Sequence, residues 1–140
     1  MIKHILVGVD GSDVSRKAVR FALGLQRMTH AKVTLVSVLE PFPLATVEPL
    51  NITRAQVYEM QLQGARAVLQ NLAAEFPADK VEQVIETGSA ADVLCAQAEE
   101  RNADMVVLGR RGLSTVERWL VGSVTERVIR HCKRPVTVVH

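Results

Sequence analysis

The chain has few cysteines and few aromatic residues, and it has no long hydrophobic run. Its two cysteines, Cys95 and Cys132, stand alone without C-x-x-C spacing. This pattern favours two reduced thiols in a cytoplasmic protein, with a disulfide between them as the less favoured alternative. Aromatic residues make up only 4% of the sequence, and none interleaves with the basic residues near the C-terminus, as single-strand stacking would require.

No segment has the features of a membrane span or an export signal. The apolar stretches all fall well short of the ~20 residues that a spanning helix needs, and the first one, Ile5–Val9, ends at Asp10. A net charge of +2 and an isoelectric point near 8.7 are too mild for a dedicated nucleic-acid binder. We therefore expect a cytoplasmic protein whose partners include neither membranes nor nucleic acids.

What is present is the hydrophobic content of one ordinary globular domain, 48% of 140 residues. Five short runs rich in β-branched residues alternate with segments of helical spacing, and each run is apolar on both faces of its two-residue period. That alternation predicts a single α/β domain over residues 1–140, with a mainly parallel, open, Rossmann-like sheet covered by helices on both faces. The predicted strands are Ile5–Val9, Val33–Val38, Val81–Ile85, Met105–Leu108 and Val136–Val139.

Capping residues mark where the helices should begin. Thr53 to Gln56 and Ser123 to Glu126 both fit the capping-box pattern, and Ser12 and Ser89 are simpler N-cap candidates. The proline-containing stretch Leu39 to Ile52 is predicted as a long irregular loop, a kind of segment that is often functional.

Ligands of open α/β sheets bind beyond the carboxyl ends of the strands, where the strand order reverses. Two loops qualify here: Asp10-Gly11-Ser12 after the first strand, and Gly109-Arg110-Arg111-Gly112 after the fourth. Glycines let backbone amides approach phosphate oxygens, and Gly122-Ser123 opens the last predicted helix, where free amides favour an anion. The same glycines could simply end a strand or start a helix, and neither a Walker A loop nor a G-x-G-x-x-G fingerprint is present.

The spacing Gly109-x-x-Gly112, nine residues, Gly122-Ser123-Val124 resembles the nucleotide loop in the ATP-binding branch of the universal stress protein family. The opening Ile5 to Ser12 and the closing Pro135 to Val139 are similar to that family's first and last strands. The resemblance covers essentially the whole chain. It implies a five-stranded sheet in the order 3-2-1-4-5 and ATP as the ligand, with Mg²⁺ or Mn²⁺ carried by its phosphates.

The resemblance also implies a role for each site residue. The nucleoside would lie against Val9, Asp10 and Gly11 after the first strand and against the backbone of Val38 at the end of the second. The phosphates would be held by Gly109, Gly112, Gly122 and Ser123, with Val124 alongside. Arg110 and Arg111 are bulkier and more charged than is usual between these glycines, so they either clamp the phosphates or point to solvent.

Two further expectations concern assembly and chemistry. Val136–Val139 could lie at a sheet edge, and the resemblance implies a homodimer formed through this strand. The four histidines show no metal-ligand spacing, and no catalytic dyad or triad accompanies the loop residues Ser114, Thr115, Glu117 and Ser123. We expect an ATP-binding stress-response or regulatory protein with at most slow hydrolysis. The alternatives are a nucleotide-independent dimeric interaction protein of the same fold and, more weakly, an adenine-nucleotide α-hydrolase-like enzyme.

Overall fold

A computed structural model describes residues 1–110 and 122–140 of the chain. The predicted site residues Arg111 and Gly112 fall in residues 111–121, outside the described part, as do Ser114, Thr115 and Glu117. The strands are β1 (His4–Gly8), β2 (Lys32–Leu39), β3 (Val81–Thr87), β4 (Met105–Gly109) and β5 (Val136–Val139). The helices are α1 (Asp13–Thr29), the short α2 (Leu44–Val47), α3 (Arg54–Ala73), α4 (Ala90–Glu100) and α5 (Ser123–His131), with a 3₁₀ turn over Glu48–Leu50.

The five strands form one parallel sheet in the order β3-β2-β1-β4-β5, which confirms the predicted fold. Successive strands are joined by crossovers that contain helices, as parallel pairing requires. The chain winds outward from β1 in one direction through β2 and β3, then returns to pair β4 with the other side of β1. The carboxyl ends of β1 and β4 therefore flank the point at which the strand order reverses.

Hydrophobic side chains are buried on both faces of the sheet, because the central strands lie between two helical layers. Ile5 and Val7 belong to the core beneath α1 and α3, and Leu6 belongs to the core beneath α4 and α5. The edge strands β3 and β5 are only partly buried. The apolar runs thus predicted the strands to within one or two residues at each end.

Two local predictions are confirmed and two need correction. Ser12 caps α1 by accepting the N–H of Ser15 at 3.1 Å, and Thr53 and Gln56 form the predicted capping box. The Leu39 to Ile52 loop is not wholly irregular, since it contains α2 and the 3₁₀ turn. The capping box predicted at Ser123 is wrong: the N-cap is Gly122, which offers no side chain.

The prediction of two reduced thiols is also wrong, because Cys95 and Cys132 are joined in a disulfide with their Cα atoms 5.0 Å apart. Cys95 lies in α4, and Cys132 directly follows α5. These helices pack side by side on the same face of the sheet, so residues 37 apart in sequence become neighbours. Linear spacing gave no sign of this pairing, which tertiary packing creates. Within the two described ranges, no helix is long and apolar enough to cross a membrane.

Candidate functional site

A cleft of about 540 Å³ opens at the carboxyl ends of β1, β2 and β4, at the predicted position. Among the predicted residues it brings together Val9, Asp10, Val38, Gly109, Gly122, Ser123 and Val124. The remaining walls come from residues that the sequence did not single out, among them Ser15, Glu40, Gln61, Ala90, Leu94 and Thr125. Gly11 and Arg110 are not part of the lining.

Asp10 builds the turn after β1 and also faces the cleft. Its Oδ1 accepts the N–H of Ser12 at 2.9 Å, and Gly11 between them has a φ of +82°. An L side chain rarely adopts that conformation, so glycine is required here by the turn. The exposed Asp10 carboxylate therefore combines the local structural role with a place in the cleft lining.

Gly109 is required for a reason other than the approach of a phosphate. A Cβ at this position would lie 2.9 Å from the backbone C and O atoms of Val14 and 2.6 Å from its Cγ1. The first turn of α1 thus packs directly onto the end of β4. Glycine at 109 lets the two elements that flank the switch point come together.

The first turn of α5 presents to the cleft backbone amides that have no hydrogen-bond acceptor among the described residues. The first backbone N–H groups of a helix have no partner within it, and the N-cap residue Gly122 supplies no side-chain acceptor. Ser123, Val124 and Thr125, the first three residues of the helix, all line the cleft. This end of the cleft offers N–H donors, the positive end of the helix dipole and the Ser123 hydroxyl, a combination that suits an anion.

Two hydrogen bonds connect the end of β4 to the start of α5. The N–H of Gly122 donates to the carbonyl of Arg110 at 2.9 Å, and the buried hydroxyl of Thr125 donates to the carbonyl of Gly109 at 2.9 Å. The sequence pattern places Thr125 inside a predicted capping box and assigns it no role of its own. Its actual role depends on a residue 16 positions away, which helical periodicity cannot reveal.

Arg110 is placed beside the cleft, not in its lining. Its backbone N–H donates to the carbonyl of Val139 at 2.8 Å, which joins β4 to the edge strand β5. Its Nε is buried and finds no hydrogen-bond partner among the residues that the structure describes.

The end of β2 has backbone groups with no strand beside them. The N–H of Val9 donates to the carbonyl of Val36 at 2.8 Å, so Val36 directs its backbone groups toward β1. Successive residues of a strand direct their backbone N–H and C=O groups alternately to the two neighbouring strands. Val38 therefore directs these groups to the same side as Val36, but β1 has already ended there. The carbonyl of Leu39, the residue after Val38, instead accepts the N–H of Gly88 on the β3 side. Among the described residues, none pairs with the N–H or C=O of Val38, which lines the cleft.

Glu40 and Gln61 complete that end of the cleft. One carboxylate oxygen of Glu40 accepts the N–H of Ala90 at 3.1 Å, and the Gln61 amide donates to the Glu40 carbonyl at 3.4 Å. The sequence signal for Glu40 was its place directly after a strand, the rule that selected Asp10. Gln61 lies in the middle of α3 and carried no such signal.

Among the described residues, the titratable groups with clearly shifted pKa values lie at the opposite edge of the sheet. His4 donates from Nδ1 to the carbonyl of Arg101 at 3.0 Å, so its Nε2 accepts the hydroxyl of Thr34 at 2.7 Å. Burial lowers the pKa of His4 below 6.5. Hydrogen bonds from the backbone N–H groups of Lys3 and His4 lower the pKa of Asp104, and the hydrogen bond from Arg101 lowers that of Glu82. No group of three His, Cys, Asp or Glu residues within 1–110 and 122–140 is arranged to hold a metal ion.

Comparison with known proteins agrees with this architecture. The model of the universal stress protein family matches residues 1–140. A Staphylococcus aureus (strain COL) protein assigned to the universal stress proteins is 34% identical over 141 residues, covering 98% of this chain and 83% of that protein. Universal stress protein UspA from Lactobacillus plantarum superposes with a TM-score of 0.84 at 23% identity, covering 99% and 98% of the two chains. A universal stress protein in complex with cAMP has a TM-score of 0.75 at 28% identity, covering 99% and 97%.

Proposed function

We propose that this chain, which belongs to the universal stress protein family, binds ATP in the cleft beyond β1, β2 and β4. In this proposal it acts as a nucleotide-responsive regulatory protein of the stress response. The observation that carries the proposal is the uncapped N-terminus of α5, whose first three residues line the cleft. Amides without an acceptor among the described residues, next to Gly109 at the end of β4, are suited to a phosphate group.

The phosphates would lie at the α5 end of the cleft. Ser123 and Val124 would contribute backbone N–H groups, and Ser123 would add its hydroxyl. Gly109 and Gly122 would frame the site. Gly112 and Arg111 remain proposed phosphate contacts on the strength of the glycine spacing alone. Arg110 would act mainly through its backbone, because it does not line the cleft.

The nucleoside would lie at the β1 and β2 ends. The Asp10 carboxylate is exposed in the cleft and suited to accept hydroxyl donors of the ribose. Val38 offers a backbone N–H and C=O, the donor and acceptor pair that matches N1 and N6 of adenine. The related protein solved with cAMP is consistent with an adenine nucleotide, and the proposed preference for a triphosphate comes from the G-2x-G-9x-G-S spacing.

The same proposal includes assembly and metal. β5 pairs only with β4 within the described sheet and is partly buried along its length, so a second copy could pair with its free edge to form a homodimer. Mg²⁺ or Mn²⁺ would arrive with the phosphates, as oxygen-preferring cations do. Hydrolysis, if measured, should be slow, since the described cleft presents no base paired with a nucleophile.

Intrinsic fluorescence tests the proposal, because Trp119 is the only tryptophan and lies in sequence between Gly112 and Gly122. ATP with Mg²⁺ should change its emission, and titration calorimetry should give the stoichiometry. G122V should abolish both signals, because a branched side chain at the N-cap would project into the anion end. G64A is the matched control, since nothing lies within 4 Å of a Cβ added there.

Unchanged ATP binding by G122V would overturn the proposed phosphate site. Absence of binding by the unmodified protein, with cAMP and ADP also tested, would favour the nucleotide-independent interaction protein. Release of phosphate at many turnovers per second would favour the enzyme.

A further inference from the structure

Glu40 brings a side-chain carboxylate to the nucleoside end of the cleft. It directly follows β2 and lies two residues beyond Val38, so it is on the strand end that faces the proposed base. Its side chain is exposed and lines the cleft. The carboxylate stands at the opposite end of the site from the amides of α5.

The carboxylate is held in place by only one of its two oxygens. Oε1 accepts the N–H of Ala90, the first residue of α4, at 3.1 Å. This contact substitutes for Ser89, which occupies the N-cap position of α4 without making a side-chain cap. The Glu40 backbone is tied in turn by the Gln61 amide. Within the described parts of the chain no residue donates a hydrogen bond to Oε2, which leaves a positioned acceptor beside the cleft.

We infer that Glu40 selects the base of the nucleotide, its free carboxylate oxygen accepting an N–H from the exocyclic amino group of adenine. The inference rests on the proposed function. An amino group on a purine carries two N–H donors, and the Val38 carbonyl can accept only one of them in the plane of the base. Glu40, the next residue on the same side of the strand, supplies the second acceptor.

The same arrangement disfavours a base with an oxygen at that position. Hypoxanthine carries a carbonyl oxygen in place of the amino group, so an acceptor would face the Glu40 carboxylate and the Val38 carbonyl. Two acceptors that face each other repel and leave a hydrogen bond unmade, which is the basis of this discrimination. The negative charge of Glu40 also disfavours binding with the phosphates at this end, which leaves the α5 amides as their site.

E40Q separates the selective role from the structural one. The glutamine carbonyl oxygen can still accept the N–H of Ala90, so α4 keeps its cap, while an NH₂ donor replaces the free carboxylate oxygen. Affinities for ATP and inosine triphosphate should be measured by calorimetry for both proteins. The preference for ATP over inosine triphosphate should fall about tenfold in E40Q, the effect of one hydrogen bond to a charged group, with the melting temperature unchanged. E75Q, an exposed carboxylate beyond the end of α3, is the matched control and should keep the preference of the unmodified protein.

A second measurement compares ATP with N6-methyl-ATP in both proteins. The methyl group replaces one of the two N–H donors, so the ratio of the affinities for ATP and N6-methyl-ATP should be about tenfold larger in the unmodified protein than in E40Q. ATP binding with an unchanged preference in E40Q, or the same ratio of the affinities for ATP and N6-methyl-ATP in both proteins, would overturn the role of Glu40 and leave the proposed function intact. If neither ATP nor inosine triphosphate binds the unmodified protein, both the proposed function and this inference fail.

Discussion

The hydroxyl of Thr125 donates a buried hydrogen bond of 2.9 Å to the carbonyl oxygen of Gly109. It connects the first turn of α5 to the last residue of β4, the two elements that bound the anion end of the cleft. The glycine carbonyl is at the end of a strand and the threonine is at the start of a helix. The hydrogen bond thus holds the start of α5 against the end of β4.

T125V should lower the free energy of unfolding by about 1–3 kcal/mol, because it keeps the side-chain shape but leaves a buried carbonyl without its donor. It should also weaken ATP binding, since the α5 amides would no longer be fixed relative to β4. Urea titration and calorimetry measure the two effects. T125S retains the hydroxyl and should retain most of the stability and most of the ATP affinity. Equal losses in T125S and T125V would assign the effect to packing.

G109A should destabilise the fold by about 1–3 kcal/mol, the usual cost of overpacking, because the new methyl group would meet the Val14 backbone at 2.9 Å. G24A is the control on the exposed face of α1, where no atom lies within 4 Å of an added Cβ. It should raise stability by about 0.5–1 kcal/mol through helix propensity. Thermal melts of both variants suffice, and a G109A protein as stable as the parent would contradict the packing described.

His4 should make stability fall as the pH decreases from about 6.5. Burial lowers its pKa in the folded protein below the value of 6.5 that applies to the unfolded chain. The neutral ring is therefore favoured by folding, and the stability this adds above pH 6.5 is lost as the pH falls through the folded-state pKa.

Urea titrations between pH 5 and 8 should show this loss of stability at low pH in the unmodified protein. In H4Q the free energy of unfolding should depend less on pH. H131Q, which changes an exposed histidine at the end of α5, should keep the original slope. A profile of H4Q that is parallel to that of the parent would rule out His4 as the source.

The Cys95–Cys132 disulfide should contribute about 3–4 kcal/mol if closure of the 37-residue separation constrains the unfolded chain. The double variant C95S/C132S and the parent protein in dithiothreitol should melt at similar temperatures, both below that of the oxidised parent. Thiol titration of the denatured protein before and after reduction counts the bonded cysteines directly. Two free thiols before reduction would contradict the bond.

Most of the fold could be predicted from the sequence because its apolar runs are short and separated by segments of helical spacing. Ile5 to Val9 and Met105 to Leu108 are apolar on both faces, which only a strand covered by helices on both sides explains well. The strand order needed the family resemblance, since alternation alone does not say on which side of β1 the strand β4 returns.

The sequence predicted the cleft residues that lie at strand ends. It did not predict those that only tertiary packing brings to the cleft. Asp10 and Gly109 follow from the rule that ligands bind at strand ends, and Val38 follows from the family resemblance. Thr125 and Gln61 are on helices, and only three-dimensional packing brings them to the cleft. Gly109 was selected for the approach of a phosphate, whereas the described structure shows that contact with Val14 also demands glycine.

The hydrogen bond between the N–H of Gly122 and the carbonyl of Arg110 has a consequence for how this chain tolerates change. It holds Arg110 next to Gly122, the two residues that flank residues 111–121. Doubling the length of chain between two joined ends adds only about 0.6 kcal/mol of closure entropy. Changes in the number of residues between Arg110 and Gly122 should therefore cost the fold little stability, whatever they do to ligand binding.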